Sequence, residues 1–411
     1  ASDYQRLENN PRSYLAEFKY TRMGPKGAAI TIDLDEEPIL TRPEGVVFKT
    51  PEAISIQSST PPKWRKPGLN RALSVTAVDM QGDGLSDLFL AGAIDVKSGD
   101  GEELAGNLIL HGQPDGDYVA QLDHPLASIA DVNAVLWGDY DNDGIVDVYL
   151  CRDGENQLWR QTAPNNWENV SNSTRTAGAN LSTVDCAFFD ADHDGDLDLF
   201  LVNADGPNEL LNNNLDGTFR PLAADYGLAG SGSKSMMVLP ADLDNDRDVD
   251  LIVLNDDGPH EVYINDRLWS YRPGENMTQF VNSDARTVLA ADVNADGMTE
   301  LYSITTNGEL LRWAAGTDGE FGAVTLGMPD VMQDVKYAHL ASSDVDGDGS
   351  ADLIVSSDKG WSAVAIVNDI AEPMQWELAQ APLLASVAVI GQSTSGPSIL
   401  TLSESTEPLQ I

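Results

Sequence analysis

The sequence predicts an all-β fold assembled from a unit that repeats about every fifty residues. Short acidic loops of the form Asp-x-[Asp/Asn/Gln]-x-Asp-[Gly/Arg]-x-x-[Asp/Glu] occur six times, and they begin at Asp79, Asp139, Asp190, Asp242, Asp292 and Asp344. The intervals between successive loops are 60, 51, 52, 50 and 52 residues. An apolar run follows each loop, as in Leu199-Phe200-Leu201-Val202, and such a run between turn residues predicts a strand.

The composition of these loops predicts calcium binding. Three to five carboxylates within nine residues repel one another unless a cation lies between them. Positions one, three and five place oxygen atoms on one side of a tight turn, and oxygen ligands in a flexible loop favour Ca²⁺ over Zn²⁺ or Mg²⁺. The EF-hand is excluded because it needs a bidentate Glu at position twelve. This chain has at that position Leu90, Leu150, Leu201, Val253, Ser303 or Val355.

The third repeat carries a wider pattern. The acidic loop and strand at residues 190–201 are followed by an Asn-rich segment at 208–214, by Asp216-Gly217-Thr218-Phe219, and by Tyr226-Gly227-Leu228. This pattern resembles the FG-GAP/VCBS repeat family of integrin α subunits, in the variant found in secreted bacterial proteins and cartilage acidic protein. The resemblance covers about residues 73–402. It implies a β-propeller with Ca²⁺ in the hairpin between the first and second strands of each blade.

The resemblance also implies the ligands, which are the side chains at positions one, three, five and nine and the carbonyl at position seven. Five or six Ca²⁺ sites are therefore expected. The candidate ligands are Asp79, Gln81, Asp83, Leu85 and Asp87; Asp139, Asp141, Asp143, Ile145 and Asp147; Asp190, Asp192, Asp194, Asp196 and Asp198; Asp242, Asp244, Asp246, Asp248 and Asp250; Asp292, Asn294, Asp296, Met298 and Glu300; and Asp344, Asp346, Asp348, Ser350 and Asp352. Carboxylate count predicts that the Asp139, Asp190 and Asp344 loops fill first and that the Asp79 loop is weakest.

Seven blades follow when a decayed copy at residues 391–400 is included, which keeps the loop length and its Gly but has no carboxylate. Only one strand follows this loop, so we expect the last blade to be completed by strands at residues 28–60, around 28–32, 45–48 and 53–56. Closure by strands from both termini removes exposed sheet edges. The predicted propeller spans residues 28–411, after a tail or junction segment at 1–27. An eighth blade is the alternative that this count leaves open.

Charge and cysteine content limit the partners. The formal net charge is −42, so nucleic acid and anionic membranes are not expected partners. The sequence contains no run of eighteen apolar residues, so it predicts no membrane span. Cys151 and Cys186 are expected to be buried free thiols. The resemblance and the availability of Ca²⁺ imply an extracellular, periplasmic or cell-surface location, within a larger multidomain protein.

The sequence does not predict a catalytic centre. The five histidines are scattered without metal spacing, and the Ser231-x-x-Lys234 string lies in a Gly/Ser loop rather than on a helix. The tryptophans recur at a spacing near that of the repeat, which favours a role in packing between blades over a role in stacking on sugars. The predicted function is a non-enzymatic module for adhesion or protein assembly, with a lectin or polysaccharide lyase as the alternative. A protein or glycan ligand is expected on the face opposite the Ca²⁺ loops. The insertion at 91–107 is predicted to fall in a loop that connects strands on this face, and it is the leading contact candidate.

Overall fold

The chain folds into antiparallel β-sheets that follow one another along the sequence. The computed structural model describes residues 56–59, 62, 63, 65, 74–97, 101–267, 269–293, 299–315, 320–327, 332, 335, 337–345, 351–367, 370–378, 388–393 and 396–400. The predicted segment 1–27 and the predicted strands at 28–55 lie outside these residues. None of the helices in the described residues qualifies as a candidate membrane span.

The described residues form six sheets. The largest has eight strands and is joined in its middle by the pairs Leu181–Gly154 and Ser182–Asp153; we divide it there into sheets 2 and 3 and number the sheets in chain order. Sheet 1 contains β1 (Ile56–Gln57), β2 (Val75–Val78), β3 (Asp87–Lys97), β4 (Glu103–Gly112) and β5 (Tyr118–Ala120). Sheet 2 contains β6 (Val132–Gly138), β7 (Asp147–Gly154), β8 (Gln157–Ala163) and β9 (Asn166–Asn169). Sheet 3 contains β10 (Leu181–Phe189), β11 (Asp198–Asn203), β12 (Glu209–Asn213) and β13 (Phe219–Pro221). Sheet 4 contains β14 (Ser235–Ala241), β15 (Asp250–Asn255), β16 (Glu261–Asn265) and β17 (Tyr271–Pro273).

The remaining sheets continue this order. Sheet 5 contains β18 (Ala285–Ala291), β19 (Glu300–Thr305), β20 (Leu310–Ala315) and β21 (Phe321–Gly327). Sheet 6 contains β22 (Ala338–Ser343), β23 (Asp352–Ser357), β24 (Gly360–Val367) and β25 (Ile370–Leu378). Sheet 7 contains β26 (Ala388–Ser393) and β27 (Gly396–Leu400). Short helical turns connect some sheets: a 3₁₀ turn at Pro125–Ser128, α1 (Ser171–Thr174) and α2 (Thr278–Val281).

The hydrophobic core lies between neighbouring sheets. Every residue of β11 is buried because this second strand is covered on both faces. Phe200 and Val202 pack with Val253 of sheet 4, whereas Leu199 and Leu201 belong to a cluster shared with sheet 2. Alternate residues of one strand therefore enter different inter-sheet cores, as the side-chain period of two requires. The continuous apolar runs of the sequence are explained by this double coverage.

The first strands of neighbouring sheets contact one another. Strand β10 contacts β6 and β14, and β18 contacts β14 and β22. Strand β2 of sheet 1 also contacts β26 of sheet 7, which brings the first and last sheets together. The all-β prediction is confirmed, and the number of blades stays a prediction. At the N-terminal end, Ile56–Gln57 pair in parallel with β5 of sheet 1.

Two sequence predictions about connections are wrong. The insertion at 91–107 is not a loop, because it lengthens β3 and β4 into a hairpin that pairs as far as Lys97 and Glu103. Segment 391–400 does not keep the length of an acidic loop either, because Gln392 pairs with Pro397 and Ser393 with Gly396. Without carboxylates to arrange around a cation, these residues continue the strand pairing as far as Ser393 and Gly396.

The prediction that both cysteines are free thiols is also wrong. Cys151 of β7 and Cys186 of β10 form a disulfide that joins sheet 2 to sheet 3. Both cysteines are buried in the cluster between these sheets. The sequence places them 35 residues apart, and only the packing of adjacent sheets brings them together. The tryptophan prediction is confirmed where the structure describes burial, because Trp313 and Trp361 are buried and Trp137 and Trp159 pack between sheets 1 and 2.

Candidate metal centre

The acidic loops lie at one end of the sheets, each between a first and a second strand. The Asp79, Asp139, Asp190 and Asp242 loops are described in full, and they connect β2 to β3, β6 to β7, β10 to β11 and β14 to β15. The Asp292 and Asp344 loops occupy the same place in sheets 5 and 6 and are described in part. The predicted ligands Asn294, Asp296, Met298, Asp346, Asp348 and Ser350 lie outside the described residues.

The first Asp of each fully described loop organises the turn through backbone hydrogen bonds. Asp139 Oδ1 accepts from the N–H of Asp143 at 2.9 Å, and its Oδ2 accepts from the N–H of Gly144 at 2.8 Å. The backbone at position six is left-handed, with φ of +88° at Gly144 and +91° at Gly195. Glycine adopts this conformation without a steric cost. The turn therefore gathers the carboxylates before any ion is considered.

Three loops bring three carboxylates close enough to share one cation. The groups are Asp139, Asp141 and Asp147; Asp190, Asp192 and Asp194; and Asp242, Asp244 and Asp246. Ligand oxygens within each group lie within 4.8 Å of one another. In the part of the chain with described side chains, the Asp79 loop contributes no such group. Its position three is Gln81, a neutral and longer side chain.

The acid at position nine also holds its loop against the rest of the sheet. Asp198 Oδ2 accepts from the N–H of Ala191, and Oδ1 accepts from the N–H of Asn213, both at 2.8 Å. Asp147 has the same two kinds of donor, from Tyr140 and Gln161. This carboxylate therefore ties the loop to the third strand of its sheet. Asp87 and Asp250 are held in the same way, by the N–H groups of Met80 and Gly112 and of Leu243 and Asn265.

Burial makes these carboxylates costly to ionise without a cation. Desolvation by burial raises the pKa of Asp147 to about 8 and the pKa values of Asp198 and Asp250 to about 7. Burial, reinforced by neighbouring carboxylates, raises the pKa of Asp196 to about 9. A bound divalent cation would favour the charged forms and reverse these shifts.

Asp196 provides a separate test of whether the loop fits a cation. Its side chain is 1% exposed, and neither carboxylate oxygen has a hydrogen-bond partner among the described residues. A buried carboxylate without a partner is unfavourable unless a cation or proton neutralises it. The predicted metal ligands of this loop are all oxygen atoms, which suit Ca²⁺. The residues of the Asp190 loop therefore fit the predicted ion.

Charged side chains around the loops were missed by the sequence analysis. Arg160 of β8 contacts the Asp139 loop, with Nε 2.6 Å from Asp141 Oδ2. Asp248, at position seven of the Asp242 loop, is fully buried, and it pairs with Arg267 and with His193 Nε2 at 2.9 Å. His193 belongs to the Asp190 loop, so this contact joins neighbouring loops. Motif spacing contains no signal for these pairs, because the partners come from other strands and sheets.

Comparison with known proteins identifies the repeat. The FG-GAP-like repeat profile matches residues 139–201, 190–253 and 242–303. Three tandem FG-GAP-like repeats are thus matched over residues 139–303, and the predicted resemblance to FG-GAP repeats is confirmed for these residues. Each matched segment begins at one acidic loop and ends in the strand that follows the next acidic loop. The profile therefore spans the junctions between sheets as well as the loops.

Similar proteins agree with this assignment. The chain is 30% identical over 169 residues to cartilage acidic protein 1 of Homo sapiens and of Mus musculus, which covers 39% of this chain and 26% of those proteins. It therefore spans about a quarter of the length of these curated relatives. A solved Agrocybe aegerita lectin that recognises non-reducing terminal N-acetylglucosamine aligns with a TM-score of 0.50 and 18% identity, over 74% of this chain and 80% of that one. This similarity concerns the fold alone.

Proposed function

We propose that this chain is a Ca²⁺-stabilised, seven-bladed β-propeller that acts as an extracellular binding module in adhesion or protein assembly. The observation that supports calcium binding is the triad of carboxylates at equivalent places in sheets 2, 3 and 4, with ligand oxygens within 4.8 Å. The FG-GAP-like repeats and the similarity to cartilage acidic protein 1 support an extracellular role. The disulfide is typical of a secreted protein.

Bound Ca²⁺ would supply positive charge at the end of the sheets where carboxylates repel one another. In the Asp190 loop, Asp190, Asp192, Asp194 and Asp198 would hold the ion with their side chains, and Asp196 with its carbonyl. In the other loops the corresponding predicted ligands would do the same. The ion would fix the turn between two strands rather than take part in a reaction. No catalytic step is included in the proposal.

Calorimetric titration of chelated protein tests calcium binding. We expect several Ca²⁺ sites and no preference for Zn²⁺. Asp192→Ala removes one ligand and is expected to abolish one site. Asp216→Asn is the matched control, because Asp216 is exposed in the β12–β13 turn, where its carboxylate accepts hydrogen bonds from Thr218. Absence of Ca²⁺ binding, or equal losses in both variants, would contradict the proposal.

The binding face is proposed to be the end of the sheets opposite the acidic loops. A cleft of ≈ 500 Å³ lies there between sheets 3 and 4, lined by residues 204–207, 229–234 and Asp257. These residues connect second to third strands or one sheet to the next. Ser231 and Ser233 hydroxyls lie 3.1 Å apart, and Lys234 is exposed at the edge. Loops on a rigid sheet scaffold are a common place for recognition.

The polar lining of this cleft favours a second candidate, glycan binding. Asp205 and Asp257 each use Oδ1 to hold a backbone N–H, of Ser182 and Lys234 respectively, so their positions are fixed. Fixed carboxylates and hydroxyls suit the hydroxyl groups of a sugar. The two candidates share one face, and binding assays can separate them.

Immobilised extracellular proteins and a glycan array, probed in Ca²⁺, test the two candidates. Ser231→Trp places a large side chain in the cleft and is expected to reduce binding at least tenfold. Ser173→Trp is the control, because Ser173 is an exposed residue of α1 outside the cleft. Binding to glycans alone would favour the second candidate. Equal binding by both variants would exclude the cleft.

A further inference from the structure

Arginine side chains already neutralise part of the charge in some acidic loops. Arg160 lies on β8 and reaches back to the Asp139 loop. Its Nε is 2.6 Å from Asp141 Oδ2, and its Nη2 donates to Asp143 Oδ2 at 3.0 Å. These two carboxylates are positions three and five of the predicted calcium site. The guanidinium is therefore paired with two of the ligands that would hold the ion.

The Asp242 loop is partly neutralised as well. Arg272 of β17 has its Nη2 3.4 Å from Oδ2 of Asp244, the residue at position three. Arg267, in the turn before β17, pairs with the buried Asp248 at position seven, and its Nη2 donates to the carbonyl of Asp246 at 3.1 Å. Part of the loop charge is thus balanced by the outer strands of the same sheet.

The ligands of the Asp190 loop differ in this respect. Among the described ion pairs, no Lys or Arg side chain contacts Asp190, Asp192 or Asp194. The place of Arg160 is taken by Asn212, because Val148 pairs with Trp159 in sheet 2 and Leu199 pairs with Leu211 in sheet 3. Asn212 donates to Asp198 Oδ1 at 3.0 Å and carries no charge.

We propose that the three loops bind Ca²⁺ with unequal affinity, and that the Asp190 loop fills first because Arg160 weakens binding at the Asp139 loop. The inference rests on the proposed calcium function. A monovalent and a divalent cation that share one carboxylate are roughly 5–6 Å apart, and even in bulk water their repulsion is worth about tenfold in affinity. A tenfold ratio corresponds to about 1.4 kcal/mol. Both loops have carboxylates at positions one, three, five and nine. The Asp190 loop also has Asp196 at position seven, where the Asp139 loop has Ile145, and this carboxylate favours the Asp190 loop in the same direction. Exchange of the arginine alone therefore isolates its effect.

Reciprocal exchange of the two side chains tests the inference. Arg160→Asn gives the Asp139 loop the side chain that the Asp190 loop has, and Asn212→Arg does the reverse. Arg220→Asn is the matched control, since Arg220 Nη2 donates to Asn212 Oδ1 at 3.0 Å and Arg220 forms no ion pair with a loop carboxylate among the described residues. Each variant is first melted in chelator to establish that it is folded.

Anomalous diffraction from crystals at limiting Ca²⁺ measures each loop separately. In the unaltered protein we expect higher occupancy at the Asp190 loop than at the Asp139 loop. Arg160→Asn is expected to raise affinity at the Asp139 loop about tenfold, Asn212→Arg to lower it at the Asp190 loop, and Arg220→Asn to change neither. Unchanged relative occupancy in both exchange variants would overturn the inference while calcium binding stands. No ion at any loop in saturating Ca²⁺ would overturn the proposed function itself.

Discussion

Arg247 occupies a backbone position that the other fully described loops give to glycine. It stands at position six of the Asp242 loop with φ of +76°, where the corresponding glycines have +84°, +88° and +91°. A non-glycine residue in this left-handed region costs about 1–2 kcal/mol. Glycine at the same position also lowers stability by about 0.4–1 kcal/mol, because it gives the unfolded chain more conformational freedom, and this offsets part of the gain. We therefore expect Arg247→Gly to be more stable than Arg247→Ala by about 0.5–1 kcal/mol.

The Ala variant is needed because it removes the arginine charge and keeps the Cβ atom. Gly195→Ala is the converse experiment at position six of the Asp190 loop. A Cβ at Gly195 would meet nothing within 4 Å, so any loss of stability comes from the backbone conformation and not from a clash. We expect Gly195→Ala to cost about 0.5–1 kcal/mol for the same reason.

Scanning calorimetry in excess chelator measures these differences without a contribution from ion binding. Unfolding entropies near 2.1 cal/mol/K per residue imply that about 1 kcal/mol shifts the melting temperature of a chain of this length by roughly 1 °C. Equal melting temperatures for Arg247→Gly and Arg247→Ala, together with no loss in Gly195→Ala, would refute the argument from backbone conformation.

Three further outcomes are expected. A site at ten times its dissociation constant stabilises the fold by roughly 1.4 kcal/mol, so EDTA is expected to lower the melting temperature strongly and Ca²⁺ to restore it; an unchanged melt would show that the loops need no ion. Burial raises the pKa of Asp147 to about 8 and those of Asp198 and Asp250 to about 7, from 3.8. Their contribution to the stability of chelated protein is fully present below pH 3.8 and is lost as the pH rises through 7 to 8. Melting in chelator should therefore fall between pH 5 and 8 and level off with Ca²⁺, and a rise in chelator would contradict the assigned shifts. Replacing Cys151 and Cys186 together with Ala removes a crosslink across 35 residues and is expected to cost about 3–4 kcal/mol in denaturant unfolding, whereas a loss below about 1 kcal/mol would show that the disulfide contributes little.

The sequence by itself determined the repeat, the strands that follow each loop, and the residues that form the triads. The Asp at position one, the glycine at position six and the buried acid at position nine are local features, since their hydrogen bonds connect residues within one hairpin or one sheet. Local spacing is visible in a sequence, and the loops accordingly lie where the motif predicts them.

The tertiary structure decided whatever depends on how strands and sheets lie beside one another. Arg160 reaches Asp141 through the pairing of β7 with β8, and Cys151 meets Cys186 because sheet 2 packs on sheet 3. Residues 94–97 and 103–106 of the insertion became strand because β3 and β4 pair there. These contacts depend on distances between segments that the spacing of residues along the chain does not specify, so they could be obtained only from the folded molecule.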